Sequence, residues 1–330
     1  MALAHVTCAV LALSSFAVAA YPSPEPITDT RPGFLNSTLD PGLIRRESDG
    51  KYFLYTTPAD LTVFTADSLS GPWTQESNTA LYNIANLGAG NHGAATMHDI
   101  DGTYYLYFNG HDPSRPSGHD GKIGVATSTT LEPGSWSFHG YLNITWRNKY
   151  NILDPSLLPK DESRYQSQHL LALGSYREGI FGMPLADPPT EIQQGANNEM
   201  FNLARNLSAE TQDIEGRWLF YHNSFYYVFF SPGECCKKSG DGSDPADWQW
   251  STADQAYKIM VCRSQNATGG FVDRQGRDCV DQSGGTEVLA SHDTVWAPGG
   301  QGVMYDEEAG GVILYYHYGE QSCHPLMSIC

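Results

Sequence analysis

The segment Glu47-Ser-Asp-Gly-Lys-Tyr-Phe-Leu-Tyr55 and its echo Asp99-Ile-Asp-Gly-Thr-Tyr-Tyr-Leu-Tyr107 decide the fold. Each reads as a tight Asp-Gly turn followed by a strand of aromatic and aliphatic residues, because Asp-Gly favours the turns of β-hairpins. Looser copies follow at residues 221–229 and 309–316, and a poorer copy lies at residues 168–173. An aromatic strand that recurs in this way along the chain indicates a repeat architecture.

A second element follows the aromatic strand and completes the repeating unit. Leu61–Trp73 matches Ile123–Trp136, and residues 257–264 with Gly269-Gly-Phe271 form a third copy. The unit is strand, turn, strand and a Gly/Pro/Trp corner, and five copies give about 62 residues each. Such a small sheet buries both faces only by stacking on neighbours around a shared axis. We predict an all-β, five-bladed β-propeller over residues 21–330; a β-sandwich is the alternative, but it does not explain the recurrence.

The charge balance restricts the partners of the protein. The 330 residues include 19 Lys and Arg against 37 Asp and Glu, a formal net charge of −18. Nucleic acids and anionic membrane surfaces are bound through clustered cations, so this balance argues against both as partners. The hydrophobic fraction of 40 % is enough for a sizeable core. The acidity fits either general solubility or an extracellular enzyme that acts on an uncharged substrate.

The first 20 residues are expected to be a secretory signal peptide. They contain no Asp, Glu, Lys or Arg, residues 9–19 are mostly small and apolar, and Ala17-Val18-Ala19 fits a cleavage pattern. Such a run is too short to span a bilayer. We therefore predict a secreted protein whose mature chain, residues 21–330, forms one domain.

The cysteines and the glycosylation sequons agree with secretion. Beyond the signal region the cysteine count is even, which predicts disulfides in a secreted chain, although the sequence leaves their pairing open. These six cysteines are Cys235, Cys236, Cys262, Cys279, Cys323 and Cys330. Four Asn-x-Ser/Thr sequons are candidate glycan sites. They begin at Asn36, Asn143, Asn206 and Asn266.

Three carboxylates precede copies of the aromatic hairpin, where the innermost strand of a blade points at the axis. Asp40 lies before the first copy, Asp154 before the poorer copy and Glu215 before the next. Asp40 and Asp154 share an Asp-Pro dipeptide followed by a small residue and a leucine. Proline interrupts a strand ladder, so the Asp is able to face the axis. A lone Asp-Pro would indicate only a turn, but matched segments in different repeats favour one shared site.

Three acids that converge on a pocket suit glycoside hydrolysis. One carboxylic acid protonates the leaving oxygen, and another carboxylate activates water or attacks the sugar. Mutual repulsion and burial keep one such acid protonated near neutral pH. The sequence therefore favours a glycosidase over a purely structural propeller.

Longer motifs that span most of the mature chain carry a specific resemblance. They are Asp40-Pro-Gly-Leu-Ile44, Asn151-Ile-Leu-Asp-Pro-Ser156, Leu173-Gly-Ser-Tyr-Arg-Glu-Gly-Ile-Phe181, Ile214-Glu-Gly216, Tyr226-Tyr-Val-Phe-Phe-Ser231 and Ile259-Met-Val-Cys-Arg-Ser264. Together they resemble glycoside hydrolase family 43, the five-bladed propeller glycosidases, and within it the endo-1,5-α-L-arabinanases. The resemblance implies a secreted, monomeric enzyme that cleaves plant cell-wall arabinan internally and with inversion.

The same resemblance implies roles for individual residues. Asp40 is the general base that activates water, Glu215 is the general acid, and Asp154 raises the pKa of Glu215 and orients it. The residues that fall where the family lines its sugar-binding cleft are Asn151, Ser175, Tyr176 and Arg177. For Tyr176 the alternative role is ordinary core packing.

His317, in Tyr315-Tyr-His-Tyr318, matches a histidine that arabinanases place on the axis near a bound calcium ion. The resemblance thus implies a structural calcium ion and no organic cofactor. Calcium prefers oxygen ligands, so a buried, hydrogen-bonded histidine is the alternative.

Three stretches depart from the family pattern. The second blade reads Gly93-Ala-Ala-Thr-Met97 where the family carries Trp-Ala-Pro-Asp, Arg217 stands where proline is common, and residues 321–330 do not resemble the family's closing segment. Two alternatives therefore stay open. One is another activity of the same family, as an arabinofuranosidase, xylosidase or galactanase. The other is a non-catalytic carbohydrate-binding propeller, against which the presence of all three acids counts.

Overall fold

The computed structural model describes residues 21–31, 35, 38–57, 60–84, 87, 92–116, 120–161, 167–174, 176–207, 213–235, 237–238, 249–250, 252–320 and 326–329. The signal segment 1–20, Ser175, Asn36 and the cysteines 236, 323 and 330 lie outside these ranges. The described elements are strands and one short 3₁₀ helix, Ala196–Asn198, so the all-β prediction is confirmed. None of the described helical segments has the length and apolar character needed to cross a bilayer.

Antiparallel sheets follow one another along the chain. The first has the order β1-β2-β3-β4, with the bounds Leu39–Arg45, Tyr52–Thr57, Thr62–Ala66 and Thr74–Gln75. The second has the order β5-β6-β7-β8, with the bounds Gly93–Ile100, Thr103–His111, Gly121–Ser128 and Ser137–Tyr141. The third joins β9 to β12 in sequence, with the bounds Ser156–Leu158, Leu170–Leu173, Ile180–Pro184 and Phe201–Ala204.

The second half of the chain is less regular. The fourth sheet has the order β13-β14-β17-β18, with the bounds Ile214–His222, Phe225–Pro232, Ile259–Ser264 and Thr286–Leu289. Between its second and third strands lies a small hairpin of β15 and β16, with the bounds Lys237–Lys238 and Gln249–Trp250. The last sheet has three strands, β19 to β21, with the bounds Val295–Asp306, Gly311–Glu320 and Leu326–Ile329.

The hairpin turns follow the local sequence. Asp101 and Gly102 connect β5 to β6 with φ angles of 52° and 78°. Asn223 and Ser224 connect β13 to β14 with φ angles of 48° and 67°. Two consecutive residues with positive φ match the right-handed twist of the flanking strands. The Asp-Gly copy and its substitute therefore form the turns that the repeat predicts.

The first strand of each larger sheet contacts its neighbours in a closed ring. β1 contacts β5, β5 contacts β9, β9 contacts β13, β13 contacts β19, and β19 returns to β1. Sheets whose inner strands meet in this order surround a central axis. The molecule is thus a β-propeller, as the repeat predicted.

The core lies between neighbouring sheets rather than inside any one of them. Along β2, Phe53 packs with residues of the second sheet, whereas Leu54 packs with residues of the last sheet. Along β6, Leu106 packs towards the first sheet and Tyr107 towards the third. Side chains alternate between the two faces of a strand, so a strand buried on both faces must be apolar throughout. This requirement explains the unbroken aromatic runs of the repeat.

Among the described residues, Cys262 and Cys279 form a disulfide bond with each other. It ties β17 to the loop that leads into β18, inside the cluster that packs the third sheet on the fourth. Cys235 also takes part in a disulfide. The prediction that the cysteines form disulfides is therefore confirmed for Cys262, Cys279 and Cys235.

Candidate active site

The five inner strands share one backbone irregularity near the axis. Each carries, in or just before the strand, a residue in the left-handed region, and in four of them the pairing register shifts at that point. These residues are Asp40 (φ 48°), Ala94 (φ 47°), Asp154 (φ 54°), Gly216 (φ 61°) and Gly300 (φ 58°). A bulge interrupts the ladder and re-aims the neighbouring side chain. All five residues line one cavity of about 30 Å³, so the repeated bulge forms the centre of the site.

Asp40 lies at the open side of this centre. Its side chain keeps 36 % of its surface exposed, and it also lines a larger cavity of about 560 Å³ between the first three sheets. Its backbone N–H donates to Nδ1 of His317 over 3.0 Å. A carboxylate held by its backbone and open to solvent has the access that a general base for water requires.

Asp154 is less exposed and is held by two hydrogen-bond donors and one cation. Nδ2 of Asn109 lies 3.0 Å from Oδ1, and the backbone N–H of Gly216 lies 3.3 Å from Oδ2. Nη1 of Arg217 lies 2.9 Å from the same Oδ2. Asn109 also accepts the backbone N–H of Asp154 over 2.5 Å. Protein groups therefore contact both oxygens of Asp154 and hold its carboxylate in place.

Glu215 stands at the start of β13, directly before the left-handed Gly216. It is half-buried, and it lies close enough to Tyr176 for its charge to affect the pKa of the Tyr176 hydroxyl. Burial raises the pKa of Tyr176, and the negative charge of Glu215 raises it further. Tyr176 is tied to the same strand because its backbone N–H donates to the carbonyl of Ile214 over 2.9 Å. Its ring is 37 % exposed, so it belongs to the open face and not to the core.

Arg177 and Asn151 meet beside Tyr176. Nε of Arg177 donates to Oδ1 of Asn151 over 3.0 Å, and its Nη1 donates to Oδ1 of Asn148 over 2.6 Å. Asn151 itself is buried. The structure therefore joins Asn151 to Arg177 and brings Tyr176 near Glu215, whereas Ser175 lies outside the described residues.

His317 is buried on β20 and both ring nitrogens face protein atoms. Nδ1 accepts the N–H of Asp40, and Nε2 lies 3.7 Å from Sγ of Cys235. The ring stacks on Tyr257 with centroids 6.4 Å apart. Burial lowers the pKa of His317, against the opposing effect of Asp40, so the imidazole is neutral.

These contacts bear on the expected calcium ion. Nδ1 and Nε2 of His317 already have protein neighbours, and calcium requires several oxygen ligands. In the described ranges no group of three or more His, Cys, Asp or Glu side chains is placed to hold a metal ion. The calcium ion stays a prediction from the family resemblance, and the chemistry below makes no use of it.

Arg217 and Asn109 are functional-site residues that the sequence did not assign. Arg217 follows the acid motif Glu215-Gly216, and its side chain is only 1 % exposed. Asn109 follows the apolar run Tyr104–Phe108 inside β6, where the sequence gives it no distinguishing pattern. Both contact Asp154 from other sheets, so neither role is visible without the tertiary structure.

Two larger cavities lie beside the described sheets, and one of them shares Asp40 and Ala94 with the central cavity. The cavity that contains Asp40 is also lined by Asn109, His111 and Asp120, and Nδ1 of His111 lies 2.6 Å from Oδ2 of Asp120. A second cavity of about 660 Å³ is lined by polar residues of the third and fourth sheets. These residues include Asp213, Glu234, Arg205 and Lys258. Volumes of this size suit an extended ligand rather than a single small one.

Comparison with known proteins gives a consistent picture. The sequence model described as "Glycosyl hydrolases family 43" matches residues 35–327. Arabinan endo-1,5-alpha-L-arabinosidase A of Aspergillus aculeatus is 42 % identical over 283 residues, which cover 84 % of this chain and 81 % of that protein.

Solved structures share the fold. An exo-1,5-alpha-L-arabinanase from a bovine ruminal metagenomic library superimposes with a TM-score of 0.72 at 23 % identity, covering 89 % of this chain and 92 % of the other. An alpha-L-arabinanase of Cellvibrio cellulosa complexed with arabinohexaose gives a TM-score of 0.69 at 21 % identity, covering 89 % and 90 %. The likeness to these structures supports the propeller architecture.

Proposed function

Because the chain belongs to the glycosyl hydrolases of family 43, we propose that it hydrolyses internal α-1,5-L-arabinofuranosyl bonds of arabinan, a neutral polysaccharide of plant cell walls. The observation that carries this proposal is the grouping of Asp40, Asp154 and Gly216, the residue after Glu215, around one small cavity. The relative named as an arabinan endo-1,5-alpha-L-arabinosidase supports the substrate. The net charge of −18 is compatible with a neutral polymer.

The three acids have different surroundings and take different roles in the proposal. Asp40, exposed to the larger cavity, accepts a proton from the water that attacks the anomeric carbon. Glu215 donates its proton to the glycosidic oxygen as the bond to that carbon breaks. Asp154 stays anionic between Asn109 and Arg217, and its charge opposes the ionisation of Glu215. One displacement by water inverts the anomeric centre, which requires the base and acid to be about 6.5–9.5 Å apart.

The surroundings of the acids suit a polymer. The exposed Tyr176 ring offers an apolar face to a sugar beside Glu215. Arg177 is oriented by Asn151 and Asn148, so its guanidinium is preorganised for sugar hydroxyls. Cavities of about 560 and 660 Å³ adjoin Asp40 and Asp213 respectively. This space accommodates sugars on both sides of the cleaved bond, which internal cleavage requires.

We assign the three-stranded sheet as a fifth blade. Its first strand, β19, contacts the inner strands of the first and fourth sheets, and Gly300 supplies the fifth left-handed residue at the axis. The sheet packs on both neighbours through Val303 and Tyr316. The five-bladed propeller therefore accounts for the ring better than four blades and an appended sheet.

Secretion as a monomer is part of the proposal. The Cys262–Cys279 disulfide supports an oxidising compartment, as does the apolar segment at residues 1–20. Amino-terminal sequencing of the exported protein tests the signal peptide, and light scattering tests the monomer. A mature protein that begins at Met1, or a stable dimer, would contradict these parts.

The substrate assignment is tested on polysaccharides. We expect oligosaccharides from linear arabinan and little release from arabinoxylan or galactan, and NMR of early products should show the β-anomer. Glu215→Gln should lower kcat by about 10²–10⁴-fold, the usual contribution of a general acid. Glu191→Gln, at an exposed site, is the matched control. Release of monomers only, from short aryl glycosides, would favour another activity of the family; no release from arabinan by the intact enzyme would refute the substrate.

A further inference from the structure

Arg217 is a buried cation at the centre of the propeller. Its side chain is 1 % exposed, and Nη1 lies 2.9 Å from Oδ2 of Asp154. Burial lowers the pKa of Arg217, and the nearby Asp40 carboxylate raises it. Removing a guanidinium from water is costly unless anions compensate it. Asp154 and Asp40 are therefore the groups that keep this cation in place.

The contact is electrostatic rather than a network of directed hydrogen bonds. Among the described residues, Nε and Nη1 of Arg217 have no hydrogen-bond acceptor of suitable geometry. The polar neighbours Thr96 and Gln301 line the same cavity but carry no charge. Within the described lining of that cavity, Arg217 is the sole cation. Its charge therefore has no substitute there.

Asp154 is consequently held by residues of two other sheets. Asn109, on β6, binds Oδ1 and the backbone N–H, and Arg217, on β13, contacts Oδ2. The N–H of Gly216 reaches the same oxygen. Three sheets thus meet at one carboxylate, and its position relative to the start of β13 depends on the cation.

The start of β13 lies in a strongly negative environment. Asp154 accepts a hydrogen bond from the backbone N–H of Gly216, the residue after Glu215. Beyond the effect of burial, the negative charges of Glu215, Asp213 and Glu234 raise the pKa of the Tyr176 hydroxyl. Asp154 with its partner Arg217 lies on the other side of Gly216. Arg217 is the cation that contacts Asp154 in this environment.

We propose that Arg217 is a positioning residue that fixes the anionic Asp154 and limits the negative charge experienced by Glu215. The inference rests on the proposed roles of Asp154 and Glu215. Without the cation, the carboxylates around Glu215 repel its ionised form more strongly, so Glu215 keeps its proton to higher pH. The enzyme with Arg217 therefore loses its acid form, and its activity, at a lower pH than an enzyme without it.

The test compares Arg217→Gln and Arg217→Lys on linear arabinan across pH. We expect Arg217→Gln to move the basic limb of the kcat profile upward by roughly one pH unit, as the loss of a nearby opposite charge predicts. Its kcat should fall by roughly 10–100-fold and its KM should change less. Arg217→Lys keeps the charge, so its basic limb should stay where it is in the wild type. A lower kcat with an unmoved basic limb in Arg217→Gln, or the same upward shift in both variants, would overturn the proposal.

A stability cycle covers the case in which Arg217→Gln is poorly folded. Removing one member of a buried ion pair leaves an uncompensated charge, whereas removing both members does not. We expect a large loss of melting temperature in Arg217→Gln and a clear recovery in Arg217→Gln/Asp154→Asn. A double variant no more stable than Arg217→Gln refutes the pairing. Failure of the proposed function is recognised separately, because the wild type would then release nothing from arabinan.

Discussion

The backbone N–H of Asp40 donates a 3.0 Å hydrogen bond to Nδ1 of His317, which joins the first and last sheets at the axis. Nδ1 can accept this bond only in the neutral tautomer that carries its proton on Nε2. Burial keeps the ring neutral by lowering the pKa of His317. His317 therefore orients the left-handed backbone that presents the Asp40 carboxylate. The histidine thus supports the strand that carries Asp40.

Gly300 makes this arrangement possible, and its replacement should disrupt it. A Cβ at position 300 would lie 2.6 Å from Nδ1 of His317 and 3.3 Å from Oδ1 of Asp40. Gly310 is the matched control, because it also has a positive φ but open space around it. Gly310→Ala should cost about 1 kcal/mol for the backbone conformation alone. Gly300→Ala should cost at least about 2 kcal/mol more and lower kcat. Urea unfolding measures the loss of stability, and arabinan kinetics measure kcat. Equal losses in the two variants would contradict the steric clash of the new Cβ with His317.

His98 should make the protein less stable in acid. Its ring stacks on Trp218 at 5.7 Å, its Nε2 is buried without a hydrogen-bond partner in the described residues, and burial lowers its pKa to about 4. The unfolded chain takes up this proton near pH 6.5, so the unfolding free energy falls as the pH drops from about 6.5 to 4.

Replacing His98 should remove that part of the pH dependence. Between pH 7 and 5 the wild type should lose about 1–2 kcal/mol more than His98→Gln, a value reduced for partial exposure. The exposed His139 is the control, and His139→Gln should follow the wild type. Denaturant unfolding at several pH values gives the comparison. Parallel curves for His98→Gln and the wild type would refute the assignment.

His111 should contribute to substrate binding. It lines the cavity that contains Asp40 and pairs with Asp120, and it is not one of the residues that hold Asp154. Loss of an interaction present equally in the ground and transition states raises KM without changing kcat. We expect His111→Ala to raise KM for linear arabinan by roughly 3–10-fold. His139→Ala, on β8 outside both cavities, should leave KM unchanged. A drop in kcat without a change in KM would place His111 elsewhere in the mechanism.

The sequons should differ in glycan occupancy. Asn143 and Asn266 are exposed, and Oδ1 of Asn266 accepts hydrogen bonds from the backbone and hydroxyl of Thr268. Nδ2 of Asn206, the atom that would carry a glycan, donates to the carbonyl of Asp213 over 3.1 Å. Enzymatic deglycosylation in ¹⁸O water followed by peptide mass spectrometry should label Asn143 and Asn266. Full labelling of Asn206 would show that its hydrogen bond does not protect it.

Much of the fold was predictable because its causes are local. The Asp101-Gly102 turn and the apolar run Tyr104–Phe108 specify a hairpin whose strands need burial on both faces. Repetition of that unit leaves few arrangements other than a ring. The three acids could be located for the same reason, since they occupy matching places in the repeat. The three-strand width of the last sheet was not predictable, because it depends on pairing of distant segments.

The candidate site was predictable only in part. The sequence by itself determined a repeating aromatic hairpin, a charge unsuited to nucleic acids and the positions of Asp40, Asp154 and Glu215 along the chain. Only the tertiary structure decided that Arg217 is buried against Asp154 and that His317 supports the backbone of Asp40. Electrostatic and hydrogen-bond partners across an axis come from strands far apart in sequence. Their geometry is set by ring closure, which local patterns do not encode.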